Sequence, residues 1–222
     1  SGTYVGQINL NSSYINLYAV AVDSTGNIFV SYSSGTANRT VAKYNSSFTL
    51  VTSVTSSGGL FDSNTNRALA VDGANNVYVG WTQTLFLGAT TSGVTKYTNS
   101  LASPTTIGSY GSGIGQFQTP LGIALDGSSN LYVSDYSNSR VQKFNSAGVF
   151  QSSIATSPGG YGITLDSSSN IYLANYNNYF VSKYNSAGVF QSYIYTLTNV
   201  NADVCTTATV CTGYAPSSSS AT

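Results

Sequence analysis

The feature that most constrains this chain is that it repeats itself. Residues 120–154 (PLGIALDGSSNLYVSDYSNSRVQKFNSAGVFQSSI) recur as residues 160–194 (GYGITLDSSSNIYLANYNNYFVSKYNSAGVFQSYI), 40 residues on, with the block NSAGVFQS unchanged. Two weaker copies precede them: YAVAVDSTGNIFVSY…TVAKYNSSFTLVTSV from Tyr18, and RALAVDGANNVYVGW…GVTKYTNSLASPTTI from Arg67. Asp23, Asp72, Asp126 and Asp166 mark equivalent points, at spacings of 49, 54 and 40 residues. A period of this size means that one supersecondary unit is built several times and buries its faces against its neighbours.

Each copy reads as four short strands. The first is small and apolar (Val20–Val22, Leu69–Val71, Ile123–Leu125, Ile163–Leu165), which permits close approach near a shared axis. An Asp-x-x-x-Asn turn follows in every copy: Asp23/Asn27, Asp72/Asn76, Asp126/Asn130 and Asp166/Asn170. Asp and Asn suit this position because their side chains bond nearby backbone and tolerate left-handed geometry. The second strand alternates apolar and aromatic residues, as in Ile28-Phe29-Val30 and Leu131-Tyr132-Val133. The third ends in Lys-Tyr or Lys-Phe, and the fourth follows a turn at Ser146-Ala147-Gly148 or Ser186-Ala187-Gly188. Four antiparallel strands in 40–54 residues is the period of a propeller blade. The expected fold is therefore all-β, a β-propeller domain over residues 1–200 with blades at about 18–56, 66–108, 118–156 and 158–197. Residues 4–10 alternate like a further strand, able to seal the ring against the last blade or to add to a neighbour's sheet edge. Residues 201–222 read as a small loop and a Ser-rich tail.

Composition agrees. Only 6% of residues are charged, against about 25% in ordinary domains. Disorder would also require few aromatic and β-branched residues, whereas this chain has 18 Tyr and 9 Phe. Those residues fit a pleated, half-buried surface.

One copy carries a longer pattern. It comprises Gly113, Gly115-Gln116-Phe117, Pro120, Gly122-Ile123-Ala124-Leu125-Asp126, Tyr132-Val133-Ser134-Asp135, Asn138-Ser139-Arg140-Val141, Lys143-Phe144 and Gly148-Val149-Phe150. Residues 108–154 thereby resemble NHL repeats. The other copies keep only the core pattern: the Asp135 position becomes Asn175, Tyr32 or Trp81, and the Arg140 position becomes Phe180, Thr40 or Gly93. The resemblance implies a propeller that usually closes with six blades, and four are visible. A compact four-bladed ring is the favoured expectation; part of a larger propeller, or a ring completed by neighbouring subunits, are the alternatives.

The residues that carry chemistry are few. The chain has no His, no Glu and no Met, and all 7 acidic residues are Asp. Proton carriers are thus reduced to Asp, Lys and Tyr. The four turn Asp read as structural. Asp135, close to Arg140, reads as a within-blade ion pair or backbone cap, and Asp62 and Asp203 are solitary. Two cysteines without His cannot supply the four ligands of structural zinc; Asp135, Asn175 and other loop oxygens could converge on a calcium at the axis, but neither metal nor cofactor is the expectation. Propellers of the lactonase and lyase kind rely on Glu, His or clustered Asp around a metal, a set missing here, and the expectation is a protein that is not an enzyme. Lys43, Lys96, Lys143 and Lys183 recur once per blade and read as solvated strand ends rather than a basic ring.

Partners are read from what remains. Net charge is zero and Lys and Arg do not cluster, which argues against nucleic acid; no apolar run approaches the roughly 20 residues of a membrane span. Absence of an initiator Met and of a signal peptide reads as a mature or trimmed product. Cys205 and Cys211 suggest a local disulfide, and Asn11, Asn38 and Asn45 head glycosylation sequons. Together these favour an extracellular or cell-surface location. Interface candidates are Tyr4, Val5, Ile8 and Leu10 in the leading segment, and Trp81, Leu85, Phe86 and Leu87 in or beside the insertion at 82–93. The expected function is an extracellular structural or adhesive surface protein, an interaction scaffold such as a filament or cell-coat subunit. Its partners would be protein, through self-association, and glycans. The alternative is a ligand-binding or catalytic propeller of lactonase or lyase type with a site at the axis. The scarcity of titratable groups also predicts tolerance of acid.

Overall fold

The computed structural model describes residues 6–8, 10, 15–34, 38–57, 63–85 and 88–195. Four antiparallel sheets form, each a simple meander of four strands. Blade 1 is β1 (Ile15–Val22), β2 (Ile28–Ser34), β3 (Asn38–Tyr44) and β4 (Leu50–Ser57). Blade 2 is β5 (Ser63–Val71), β6 (Val77–Thr84), β7 (Thr90–Tyr97) and β8 (Thr105–Ile107). A two-stranded parallel pair, β9 (Ser109–Tyr110) and β10 (Gln116–Phe117), leads into blade 3. Blade 3 is β11 (Pro120–Leu125), β12 (Leu131–Asp135), β13 (Arg140–Phe144) and β14 (Phe150–Ala155). Blade 4 is β15 (Gly160–Leu165), β16 (Ile171–Asn175), β17 (Phe180–Tyr184) and β18 (Phe190–Tyr195).

The repeated turns are built by side chains. Asp23 Oδ1 accepts from the amides of Thr25 (2.9 Å) and Asn27 (2.8 Å), and Oδ2 accepts from Asn27 Nδ2 (2.8 Å). The same three bonds recur at Asp72, Asp126 and Asp166. The residue before each Asn is left-handed: Gly26 (φ 83°), Asn75 (64°), Ser129 (59°) and Ser169 (59°).

The alternation of side chains along a strand gives each blade two faces. Tyr132 points towards blade 4, where it packs with Val141 on Ile171, Leu173 and Tyr184. Its neighbours Leu131 and Val133 point the other way, onto Tyr78 and Val94 of blade 2. Phe29 and Val41 of blade 1 meet Leu69, Val77 and Val79 of blade 2 in the same manner. Each fully buried side chain of this size contributes about 1.5–3 kcal/mol. Near the axis the innermost strands pack in the order β1, β5, β11, β15. A Cβ on Gly122 would stand 2.5 Å from the Tyr161 carbonyl oxygen, so only glycine lets β11 and β15 approach this closely.

The packing ends at β15. Among the described residues no comparable contact joins blade 4 to blade 1. The blades thus form an open arc, not the closed four-bladed ring that the repeat count favoured; that count sets how many blades exist, but not the angle between them. The free face of blade 1 is partly covered by its own chain: Ile8 and Leu10 pack on Val30, Ala42 and Tyr44. Gly6–Ile8 and Leu10 carry no strand pairing, contrary to the strand expected over 4–10. They pack against a sheet face rather than along an edge. Further in, Leu17, Val20 and Val22 of β1 are 60–65% exposed. No helix among the described residues is long and apolar enough to cross a membrane.

Candidate functional site

The repeated lysines have a place that sequence reading missed. Each lies across the ladder from the aromatic residue of its own second strand. The ammonium groups sit over those rings, at 5.6 Å for Lys43/Phe29, 5.1 Å for Lys96/Tyr78, 4.9 Å for Lys143/Tyr132 and 5.3 Å for Lys183/Tyr172. They are neither a basic ring nor free strand ends, but cation–π pairs within each blade. In blades 2 to 4 the tyrosine hydroxyl also donates to the turn aspartate, at 3.2–3.4 Å. Blade 1 has Phe29 there, and Asn99 of blade 2 supplies the missing donor, its Nδ2 lying 3.0 Å from Asp23 Oδ2. Lys43 Nζ donates in turn to Asn99 Oδ1.

Asp135 is fully buried and wholly engaged. It accepts from the amides of Gln118 (2.9 Å) and Thr119 (3.0 Å), from Asn138 Nδ2 (2.6 Å) and from Arg140 Nε (3.3 Å). Arg140 then donates to the carbonyls of Ser112, Gly113 and Gln116 at 2.7–2.9 Å, and Gln142 Nε2 donates to Gln116 O at 2.6 Å. The longest sequence motif is therefore a clamp that fixes the glycine-rich segment 108–117. Asp62 and Asp203 lie outside the described residues, and among those described no three His, Cys, Asp or Glu residues group together.

A cleft of about 450 Å³ lies where the innermost strands begin. Arg67 of β5, Leu121 of β11 and Tyr161 of β15 line it, with Thr82 and Thr84 of β6 and Tyr136 and Tyr176 from the segments after β12 and β16. Arg67 Nη1 donates to the Tyr161 hydroxyl at 3.0 Å, joining blade 2 to blade 4 across the concave side of the arc. Asn177 Nδ2 donates to the Tyr136 hydroxyl at 3.2 Å. Tyr161 stands edge-on to Tyr136 (6.2 Å between centroids) and tilted to Tyr176 (5.8 Å). Tyr176 is 70% exposed. Because both phenol oxygens already accept a bond, their own protons are left to donate to a ligand oxygen. Sequence reading did not single out Tyr136, Tyr161 or Tyr176, and their convergence with Arg67 needed the curvature of the arc.

The other candidates are placed as follows. Trp81 lies within β6, its indole Nε1 donating to Thr95 Oγ1 at 2.9 Å. The expected insertion at 82–93 is mostly an extension of the β6–β7 hairpin, closed by Leu85 N to Ala89 O at 2.7 Å. Leu85 is partly exposed at its tip, and Phe86 and Leu87 lie outside the described residues, as do Tyr4, Val5, Asn11, Cys205 and Cys211. Asn38 is half-buried in β3, while Asn45 Oδ1 accepts from the amides of Ser47 and Thr49 at 3.0 Å.

Comparison with known proteins adds a motif and a fold. Residues 117–144 match the NHL repeat. This chain carries an NHL repeat. The match covers the blade in which Asp135 and Arg140 form their clamp. No curated protein sequence matches the chain. Among solved structures, a chain of the nidogen/laminin complex is similar at TM-score 0.64 and 15% identity, over 84% of this chain and 66% of that one. A gluconolactonase from Xanthomonas campestris is similar at TM-score 0.57 and 14% identity, over 81% and 62%. A catalytically inactive virginiamycin B lyase from Staphylococcus aureus is similar at TM-score 0.55 and 12% identity, over 86% and 59%. The chain thus spans about three-fifths to two-thirds of the structures it resembles. At these identities the likeness is one of fold. It nevertheless overturns the expectation that the protein is not an enzyme, because the same fold serves gluconolactonases, streptogramin lyases and a luciferin-regenerating enzyme. Lack of His and Glu excludes particular mechanisms, not catalysis.

Proposed function

We propose that this chain supplies four blades of a ligand-binding propeller of the lactonase and lyase type, with its site in the cleft between Arg67, Tyr136, Tyr161 and Tyr176. The observation that carries the reading is the Arg67–Tyr161 hydrogen bond, which holds a guanidinium and two proton-donating phenols around one concave space. Clustered, exposed tyrosines suit the apolar faces of a sugar-like ring, and the threonine hydroxyls of β6 offer further hydrogen bonds. Phenol protons directed at a carbonyl would stabilise negative charge developing on its oxygen, as lactone opening or elimination requires. A neutral, hydroxylated ring bearing a carbonyl, such as a sugar lactone, is the ligand class. The test is titration calorimetry with glucono-lactone, alongside pH-stat measurement of its opening. Saturable binding lost in Tyr161→Phe and Arg67→Gln supports the reading; no binding, or binding unchanged in both variants, rejects it.

A second reading, an extracellular interaction scaffold, is favoured by the apolar Leu17, Val20 and Val22 left open on β1, and by the cysteine pair and sequons. Electron microscopy and sedimentation across a concentration series test it. Assembly that disappears in Val20→Thr/Val22→Thr supports it, and a monodisperse species at every concentration rejects it.

A further inference from the structure

Between blades 1 and 2 lies a second cavity, of about 250 Å³, away from the tyrosine cleft. One wall is the guanidinium of Arg39, centred 4.4 Å over the ring of Trp81. Its Nη1 is fully buried and has no hydrogen-bond partner. The one ion pair among the described residues joins Arg140 to Asp135, so no described carboxylate pairs with Arg39. Burial pushes the guanidinium below its ordinary value, an effect that Tyr97 partly offsets; arginine nevertheless stays charged. A buried donor on a charged group that is left without a partner is costly, and native proteins satisfy such groups.

The rest of the wall says what would pair it. Val41, Val54, Val79 and Pro104 give the cavity apolar patches, and Ser56, Thr95, Tyr97 and Thr106 give it hydroxyls, so its wall is mixed. One fixed positive charge, with hydroxyls and valines beside it, matches one negative charge on a short body that is apolar at its other end. A phosphate dianion would carry more negative charge than the one guanidinium in the wall can balance. We propose that this cavity binds a small monocarboxylate, its two oxygens facing the Arg39 guanidinium and its alkyl part lying on the valines. Planar guanidinium and planar carboxylate form the shorter, charge-assisted kind of hydrogen bond. The site stands on residues separate from the tyrosine cleft and does not depend on the function proposed for it.

Trp81 is the sole tryptophan of the chain, so its fluorescence reports on this cavity directly. The experiment titrates sodium butyrate into the full chain at constant ionic strength and low chloride, with the neutral isostere butyramide as the control. A saturable change in Trp81 emission and a rise in Tm with butyrate, both absent with butyramide, are expected. Arg39→Gln should weaken the butyrate response at least tenfold. No saturable response, an equal response to butyramide, or wild-type affinity in Arg39→Gln would each overturn the proposal and leave a water-filled cavity. Should Arg39→Gln fail to fold, the butyrate–butyramide contrast in the Trp81 indole NMR resonance of the native chain decides in the same way.

Discussion

Seven aspartates supply all the negative side-chain charge of this protein, and four of them are spent on turns. For Asp23, burial alone would raise the carboxyl, but hydrogen bonds from Asn27, Thr25 and Asn99 outweigh it and hold the group well below the carboxylate range. For Asp126, burial acts upward and bonds from Asn130 and Ser128, with Lys143 nearby, bring it down. Asp166 is lowered chiefly by the side chain and backbone of Asn170. All three fold into a state with a lower value than the unfolded chain, about 3.9. Their contribution is therefore fully present above that value, and is lost only as pH falls through the depressed folded values. With no His and no Glu, circular-dichroism melts at about pH 4 should stay close to those at pH 7. Loss of the folded signal between neutrality and about pH 3.5 would contradict this. Replacing Asp126 by Ala orphans four donors and should cost about 2–3 kcal/mol in urea unfolding. Ser129 and Ser169 occupy the left-handed position that blade 1 gives to Gly26. Ser129→Gly and Ser169→Gly should therefore each gain about 0.5–1 kcal/mol, whereas the same change in a strand would lose stability.

At the scale of the element, the residue pairs that matter lie across strands. The Asp-x-x-x-Asn turns were legible because both partners sit in one local pattern. The lysine–aromatic pairs were not, because they depend on register between second and third strands. The turns before the fourth strand were only half legible. Sequence pointed to Ser-Ala-Gly, but the pivots are Asn145 and Asn185, whose Oδ1 atoms accept two amides each. The long motif of blade 3 was fully visible, yet its role as a clamp on residues 108–117 emerged only with the Arg140 bonds. Arg140→Gln should cost about 3 kcal/mol, since it breaks a buried pair and leaves Asp135 without its cation. It should also speed amide exchange in 109–117 more than in β16. At the innermost strands, Gly122→Ala should cost about 1–3 kcal/mol, because the added methyl meets the backbone of β15 rather than a movable side chain.

For the whole molecule the arc is the controlling fact. Three inter-blade cores hold it, and each joins the aromatic-bearing face of one blade to the branched aliphatic face of the next. Leu131 is fully buried in one of these cores, and Leu131→Ala should cost about 2–5 kcal/mol. Val22 lies on the open end of the arc, and Val22→Thr should fall within about 0.5 kcal/mol of the parent. Equal costs for the two would mean that blade 1 is covered in solution, as the scaffold reading requires. The same curvature brings Arg67 within reach of Tyr161, 94 residues away, and sets Arg39 of blade 1 over Trp81 of blade 2.

By itself the sequence determined the unit: four short strands, an aspartate turn, a small first strand and two faces per blade. Those follow from side-chain type at fixed local spacing, and local spacing survives in the unfolded chain. Only the tertiary structure decided how the units meet. The angle between blades, the open arc, the tyrosine cleft and the placing of Arg39 over Trp81 are contacts between residues far apart in the chain, created by packing of whole sheets. A repeat encodes what each blade is made of; the shape of the side chains between blades decides where the blades point.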